Sequence, residues 1–311
     1  MSVSNVDFDR SSIRGLRRIV ANSLSFFINN AEFPDNSRGY YCRIDRSARP
    51  AAGSRRSSTG TVDNLRKPGV PSPMTDDWVS LFSGGKDSSW ALYRALEEGL
   101  DVSRLLTVHP AGDSYMYHTP ATELASLAAE SVGIDLVEVS PDDFGADDVD
   151  DAGAQGDAEL EPMEAALREL AAADDVDLAG VTAGAVESEF QTNRIQAMCD
   201  RLGIDLFAPL WQRDPVELAE AMFDAGFEIR IVQVAAYGLD ESWLGRRFDA
   251  DALDELLELR EEYGVHPLGE GGEFETYVVD GPHMDRRIDL TYDAVWEGDR
   301  GHVEIRDARL E

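Results

Sequence analysis

From residue 78 onward, short apolar runs alternate with segments whose apolar residues recur at helical spacing. Residues 78–82 have the pattern of a buried strand and residues 89–96 that of a helix. The alternation predicts further strands at 103–109, 136–139, 178–183 and 204–208, and helices at 120–132, 162–172 and 192–202. Strands that alternate with helices form parallel sheets, so we expect one doubly wound α/β domain over residues 74–208.

A second pattern begins at residue 209. It predicts helices at 215–225 and 250–263, and strands at 228–236, 277–279, 287–295 and 302–310. Because strands dominate it, residues 209–311 are expected to form a smaller α+β domain. Residues 142–161 contain seven aspartates and no calcium-loop spacing, which predicts a solvated polar loop.

The first 73 residues differ in kind from the rest. They hold twelve basic and six acidic side chains, show little periodicity, and end in a Pro/Gly/Ser stretch at 68–73. We expect a disordered extension or a mis-called start, with Met74 as the true first residue. A basic tail that docks on nucleic acid is the alternative, although no regular basic or aromatic cluster supports it.

The remaining 238 residues carry a large excess of acid. The formal net charge of the whole chain is −33, with 61 Asp and Glu against 28 Lys and Arg, although 43% of the residues are hydrophobic. Such self-repulsion is tolerated where concentrated salt screens it, which indicates a cytoplasmic protein of a halophile. The two cysteines exclude a disulfide framework, and no apolar run reaches the length of a membrane span.

One lysine follows Met74, and it lies in the sequence Ser83-Gly84-Gly85-Lys86-Asp87-Ser88. The chain otherwise uses arginine, so a compact ammonium is favoured at this position. A strand, a glycine turn and a helix together direct backbone N–H groups at one point, which predicts a site for a phosphate chain. The alternative is an ordinary polar turn in which Asp87 and Ser88 cap the helix.

This motif resembles the PP-loop of the ATP pyrophosphatases, which split ATP between the α- and β-phosphates and transfer AMP. The resemblance implies a HUP-like nucleotide-binding domain with ATP and Mg²⁺ as cofactors. Lys86 and Asp87 would be catalytic, and Asp87 would also bind the metal. The residues that would bind ATP are Ser83, Gly84, Gly85, Lys86, Asp87 and Ser88.

Four further segments extend the likeness. They are 114–120 (Ser-Tyr-Met-Tyr-His-Thr-Pro), 209–211 (Pro-Leu-Trp), 238–245 (Gly-Leu-Asp-Glu-Ser-Trp-Leu-Gly) and 269–276 (Gly-Glu-Gly-Gly-Glu-Phe-Glu-Thr). This ordered set resembles the diphthine–ammonia ligases, over residues 78–288. The resemblance implies that ATP, ammonium and the diphthine carboxylate of elongation factor 2 give diphthamide, AMP and pyrophosphate. It implies no membrane or nucleic-acid partner.

Site residues on the substrate side follow from the same likeness. Glu270, Glu273 and Glu275 are expected to be catalytic, and a glycine-rich turn lets backbone approach a ligand closely. They would also attract the trimethylammonium group of diphthine, for which an aromatic wall is a natural complement. The expected substrate-binding residues are His118, Gly271, Gly272, Thr276, Trp211 and Trp243.

Two departures from the family pattern are Ala121, where asparagine is usual, and Phe190, where tyrosine is usual. Two other classes of protein stay open at this point. One is a tRNA-modifying PP-loop enzyme, although these tend to use cysteines in Cys-x-x-Cys pairs, which this chain lacks. The other is a protein that binds an adenine nucleotide without turnover.

Overall fold

The structure is a computed structural model that describes residues 40–42, 76–108, 124–139, 152–173, 176–186 and 189–311. Within this range, the side chains of residues 40–42, 152–159 and 189–191 are not described. The described residues all belong to one compact unit, Arg38–Glu311. Among the described helices, none is both long and apolar enough to cross a bilayer.

The first sheet has six strands, of which five are parallel. Its order is β1-β6-β5-β2-β3-β4, and β1 pairs antiparallel with β6. The strands are β1 Tyr40–Cys42, β2 Asp77–Leu81, β3 Asp101–Val108, β4 Leu136–Val139, β5 Leu178–Thr182 and β6 Asp205–Ala208. The chain proceeds from β2 towards β4 on one side and returns to β5 on the other. A cleft therefore opens at the carboxyl end of β2, where the strand order reverses.

Four helices pack on this sheet, α1 Lys86–Glu97, α2 Ala125–Val132, α3 Ala152–Ala172 and α4 Glu189–Leu202. Neighbouring residues on a strand point to opposite faces, so Trp78 and Val79 enter different cores. Val79 packs with Leu167 and Met198 of α3 and α4. Trp78 belongs to the core that contains Trp90 of α1 and extends into the second sheet. Burial on both faces explains why these strands are mostly apolar and do not alternate strictly with polar residues.

The second sheet is antiparallel and centred on β7. Its elements are α5 Pro215–Asp224, β7 Glu228–Val234, β8 Arg247–Phe248, α6 Ala250–Tyr263, β9 Phe274–Asp280, β10 Ile288–Glu297 and β11 Arg300–Leu310. β9 pairs with β7 along most of its length, whereas β8 and β11 pair with opposite ends of β7. Its core is continuous with the α1 face of the first sheet.

This architecture confirms the predicted parallel α/β sheet followed by a smaller region of helices and antiparallel strands. Helix α3 is a correction, because it begins at Ala152 inside the predicted polar loop and includes Pro162. The apolar pattern predicted a helix only from Pro162 onward, ten residues after the observed start. The described part of residues 142–161 is helical from Ala152 onward.

Strand β1 lies in the N-terminal region for which a disordered extension or a mis-called start was predicted. It adds three residues to the sheet, with Tyr41 opposite Phe207. The rest of residues 1–73 lies outside the described residues, as does Met74, the predicted start.

His283 is an aromatic neighbour of the core shared by the two sheets. Its ring stacks on Phe227 with centroids 5.1 Å apart, and its Nδ1 is buried with no hydrogen-bond partner among the described residues. Burial lowers the pKa of His283 to about 4 from its ordinary value of 6.5. The ring is therefore neutral at pH 7 and packs as an aromatic side chain.

We expect this histidine to make the protein acid-sensitive. The unfolded chain takes up the proton below pH 6.5 and the folded chain only near pH 4, so stability falls as the pH is lowered through that window. The loss should amount to ~3 kcal/mol at most. His283→Phe should remove this part of the pH dependence in denaturant titrations at pH 7.5 and 4.5. His302→Phe, at an exposed position of β11, is the control and should retain it.

Candidate active site

The glycine loop, residues 83–88, joins β2 to α1 at the carboxyl edge of the parallel sheet. Two serines close it, since the hydroxyl of Ser88 accepts a hydrogen bond from the Ser83 amide at 3.2 Å and donates to the Gly85 carbonyl at 3.2 Å. Gly85 precedes the helix in an extended conformation, and Lys86 is the first helical residue. Helix α1 thus begins within the predicted motif, three residues earlier than the apolar pattern indicated.

Lys86 is the buried cation of this site. The residue is 4% exposed, and its Nζ lies 2.7 Å from Asp87 Oδ2 and 5.9 Å from the centre of the Phe274 ring. Burial alone would lower the pKa of Lys86, but Asp87, Glu270 and Glu275 together raise it above its ordinary value. The ammonium therefore remains charged at neutral pH in a place where water contributes little to its solvation.

Strand β9 holds the glycine loop from the other side. Thr276 Oγ1 accepts a hydrogen bond from the Lys86 amide at 3.2 Å, and the Val278 amide donates to the Gly84 carbonyl at 2.9 Å. Tyr277, between them, is fully buried and its hydroxyl donates to the Leu124 carbonyl at 3.0 Å. The loop is consequently ordered by a strand that lies 190 residues further along the chain.

Two glycines permit this close packing. Gly84 has φ +80°, and a Cβ there would lie 2.7 Å from Cε2 of Tyr277. Gly184 follows β5, and a Cβ there would lie 2.6 Å from the backbone carbonyl carbon of Asp87. Gly184 thus brings the loop after β5 directly against the start of α1. The sequence indicated only that β5 ends in small residues, and it gave no reason to place Gly184 in the site.

The glutamate turn, residues 269–276, approaches the glycine loop. Its three glutamates differ in their interactions. Glu270 and Glu275 act on the charge of Lys86. Glu273 instead folds back on its own turn, where Oε1 accepts from the His266 amide at 3.1 Å and Oε2 from the Gly271 amide at 2.8 Å. Two of the three predicted catalytic carboxylates therefore act electrostatically on Lys86, and the third stabilises the turn.

Of the predicted glycines of this turn, Gly272 has φ +79° and Gly271 lies against the Glu273 carboxylate. Thr276, predicted to bind substrate, is instead buried and bonded to the glycine loop. The sequence suggested that this turn serves only the substrate half of a reaction. The structure places it against the lysine of the predicted phosphate site.

The predicted aromatic wall is largely inside the protein. Trp211 is 8% exposed and packs with the α3 and α4 core. Trp243 is 5% exposed, and the Arg246 guanidinium lies over its ring, 4.4 Å from the ring centre. Little ring surface is left on either side chain for a ligand. His118 and Ala121 lie outside the described residues, and the side chain of Phe190 is not described.

Asp87 has one carboxylate oxygen in use and one without a partner. Oδ2 binds Lys86, whereas Oδ1 is buried and has no hydrogen-bond partner among the described residues. An anionic oxygen in this state suits a hard cation such as Mg²⁺, which takes one or two carboxylates together with phosphate oxygens. No cluster of three or more His, Cys, Asp or Glu side chains in the described part of the chain forms a complete metal site.

The features of the glycine loop define a class of protein, one that binds a phosphorylated ligand. A buried, charged lysine at the start of a helix, in a glycine loop after the first parallel strand, is an arrangement suited to a phosphorylated ligand. The chain belongs to the diphthamide synthase family, because residues 77–206 match the family's N-terminal domain and residues 214–310 its C-terminal domain.

Individual relatives agree with this assignment. The diphthine–ammonia ligase of Danio rerio is 34% identical over 219 residues, which are 68% of this chain and 84% of that protein. The diphthine–ammonia ligase of Homo sapiens is 32% identical over 220 residues, 68% of this chain and 81% of that protein. The ligase of Schizosaccharomyces pombe is 33% identical over 232 residues, so the chain matches 72% of its own length but only 38% of that relative.

A solved structure described as a predicted subunit of tRNA methyltransferase from Methanocaldococcus jannaschii is also similar. It is 20% identical, with a TM-score of 0.39, and the match covers 66% of this chain and 97% of that one. At that score the likeness supports no conclusion about function.

We expect Gly84→Ala to lower the free energy of unfolding by more than the unfavourable backbone conformation alone would cost. Alanine at φ +80° costs ~1–2 kcal/mol, and its Cβ would also displace the buried Tyr277 ring. Gly99→Ala is the matched control, because Gly99 has φ +76° with no atom within 4 Å of a Cβ. Denaturant titrations should give a larger loss of unfolding free energy for Gly84→Ala. Equal losses would mean that the contact with Tyr277 is unimportant.

Proposed function

We propose that this protein amidates diphthine on elongation factor 2, with ATP as the activating substrate and ammonium as the nitrogen donor. One observation carries the proposal: the Lys86 amide is bonded to Thr276 of the glutamate turn, and Glu270 and Glu275 of that turn act on the charge of Lys86. A phosphate-binding lysine and an anionic surface for a cationic substrate are thereby adjacent. Membership of the diphthamide synthase family and relatives named diphthine–ammonia ligase support the same reaction.

The reaction has two steps. In the first, a carboxylate oxygen of diphthine attacks the α-phosphorus of ATP, the bond to the β-phosphate oxygen breaks, and pyrophosphate leaves. In the second, ammonia attacks the carbonyl carbon of the acyl adenylate, and AMP leaves with the oxygen that came from the carboxylate. Activation is needed because a free carboxylate has no adequate leaving group for attack by ammonia.

Lys86 contributes mainly to the first step. Negative charge grows on the departing pyrophosphate, and a preorganised ammonium lowers the energy of that charge without reorganising at the moment of reaction. Its amide is already bonded to Thr276 and its ammonium to Asp87, so its position is fixed before ATP binds. Mg²⁺ would be held by Asp87 through the unpartnered Oδ1 and would supply further charge neutralisation to the phosphates.

Glu270 and Glu275 have two roles in this proposal. They add to the effect of Asp87 in raising the pKa of Lys86, and they provide negative charge for the trimethylammonium group of diphthine. A carboxylate close to the acyl adenylate also suits the removal of a proton from ammonium before ammonia attacks. Glu273 contributes by holding the turn that carries them, through its bonds to the His266 and Gly271 amides. We further propose a cytoplasmic location, since the substrates named here are a translation factor and a soluble nucleotide.

The central test uses Lys86. Lys86→Ala should fold but lose most pyrophosphate release and amide formation, a deficit of several kcal/mol in the barrier, by comparison with the removal of other preorganised donors. Lys86→Arg should recover little activity, because the planar guanidinium does not fit the buried position of the ammonium. The assay supplies diphthine-bearing elongation factor 2, ATP and ammonium, and follows pyrophosphate together with the mass of the modified peptide.

Arg94→Lys, in the last turn of α1, is a suitable control substitution and should retain activity. If Lys86→Ala turned over like the unsubstituted protein, the proposed role of the glycine loop would be wrong. A protein that binds ATP but releases no pyrophosphate with any factor preparation would instead be a nucleotide-binding protein without turnover.

A second prediction distinguishes the structural role of Glu273 from the role of Glu275 in the reaction. Glu273→Gln should lower the free energy of unfolding by ~1–3 kcal/mol, because an amide replaces one of two accepting oxygens with a donor that faces a backbone N–H. Glu275→Gln should cost less stability than Glu273→Gln but slow amide formation, because it removes a carboxylate that acts on the charge of Lys86. Denaturant titration and steady-state assays on both variants measure the contrast. The same loss of stability in both variants would contradict the separate roles.

A further inference from the structure

Two tyrosines stand out on the surface near the glutamate turn. Tyr237 is 82% exposed and Tyr263 43% exposed, and they are the most exposed large apolar side chains among the described residues. Their ring centroids are 5.1 Å apart, with an angle of 77° between the planes. The two rings meet edge to face, and most of Tyr237 is open to solvent. We call this pair the aromatic rim.

Both tyrosines are connected to the glutamate turn through Glu273. The Ala235 amide, two residues before Tyr237, donates to the Glu273 carbonyl at 2.8 Å. The His266 amide, three residues after Tyr263, donates to Glu273 Oε1 at 3.1 Å. One residue of the turn is therefore bonded to both segments that carry the aromatic rim, which connects the rim to the glutamate turn.

The aromatic rim is also held in place by its own surroundings. Gly238 has φ +99°, and a Cβ there would lie 2.7 Å from Cδ2 of Tyr263, so the chain passes directly against that ring. Glu262 accepts a hydrogen bond from the Tyr263 hydroxyl and raises the pKa of Tyr263 above its ordinary value. Asp240 then caps the short helical turn Glu241–Trp243. Little freedom would be lost when a partner binds to such a surface.

We propose that the aromatic rim is the docking contact for the protein substrate, where it receives a cationic side chain close to the residue being modified. This inference rests on the proposed function. ATP and ammonium are small enough to reach the site without touching its rim. Diphthine, in contrast, is a side chain of a large protein, whose surface must lie over the entrance when the side chain reaches Lys86.

The chemistry of the rim suits a cation on that surface. Tyrosine faces attract lysine and arginine side chains, and the Glu262 carboxylate beside the rings adds charge of the complementary sign. Exposed, preordered tyrosines supply much contact area at low entropic cost, and such residues are common centres of binding energy in protein interfaces.

Steady-state kinetics and direct binding test this proposal. Tyr237→Ala should raise KM for diphthine-bearing elongation factor 2 about tenfold or more, with kcat and KM for ATP unchanged. Tyr237→Phe should restore KM, because the aromatic face and not the hydroxyl makes the contact. Leu96→Ala is the matched control, since Leu96 is an exposed apolar residue, 37% exposed, at the far end of α1.

The outcomes separate this inference from the proposed function. If the unsubstituted protein amidates the factor and Tyr237→Ala does so with the same KM, the docking role of the aromatic rim is wrong and the function stands. If the unsubstituted protein neither binds nor amidates the factor, both proposals fail. A fall in kcat, or a rise in KM for ATP, would show that Tyr237 acts on the chemistry and would also overturn the docking role.

Discussion

The contact between β9 and the glycine loop is the constraint on which the rest of the site depends. A glycine loop alone can adopt many conformations, and its usefulness for catalysis depends on fixing one of them. Here Thr276 binds the amide of Lys86, Val278 binds the carbonyl of Gly84, and the Tyr277 ring lies against Gly84. The second sheet therefore determines the shape of a loop that belongs to the first.

The burial of Lys86 follows from this packing and creates an electrostatic requirement. An ammonium taken out of water must be compensated, or its pKa falls and the charge is lost. Asp87 compensates it from inside the loop, and Glu270 and Glu275 do so from the glutamate turn. Two carboxylates that the sequence suggested for a cationic substrate thus also serve the lysine. A site that binds anions on one side and cations on the other can share the same charges.

The sequence predicted the parallel sheet, the position of the glycine loop and the likeness to the family, because strand and helix periodicities are local and the motif is short. It did not separate Glu273 from Glu275, since the two differ only in which way a turn directs them. It placed Trp243 on the substrate, although packing against the core and Arg246 buries its ring. The role of Gly184 could not be predicted from the sequence, because it depends on the close approach of α1, which is a tertiary contact.

The two domains of the family are therefore interdependent in this chain. The match to the N-terminal domain ends at residue 206 and contains the whole glycine loop, but the groups that order the loop lie at 276–278, in the C-terminal match. The surroundings of Lys86 therefore depend on both domains, because Thr276 and Val278 of β9 hold a loop that belongs to the first sheet.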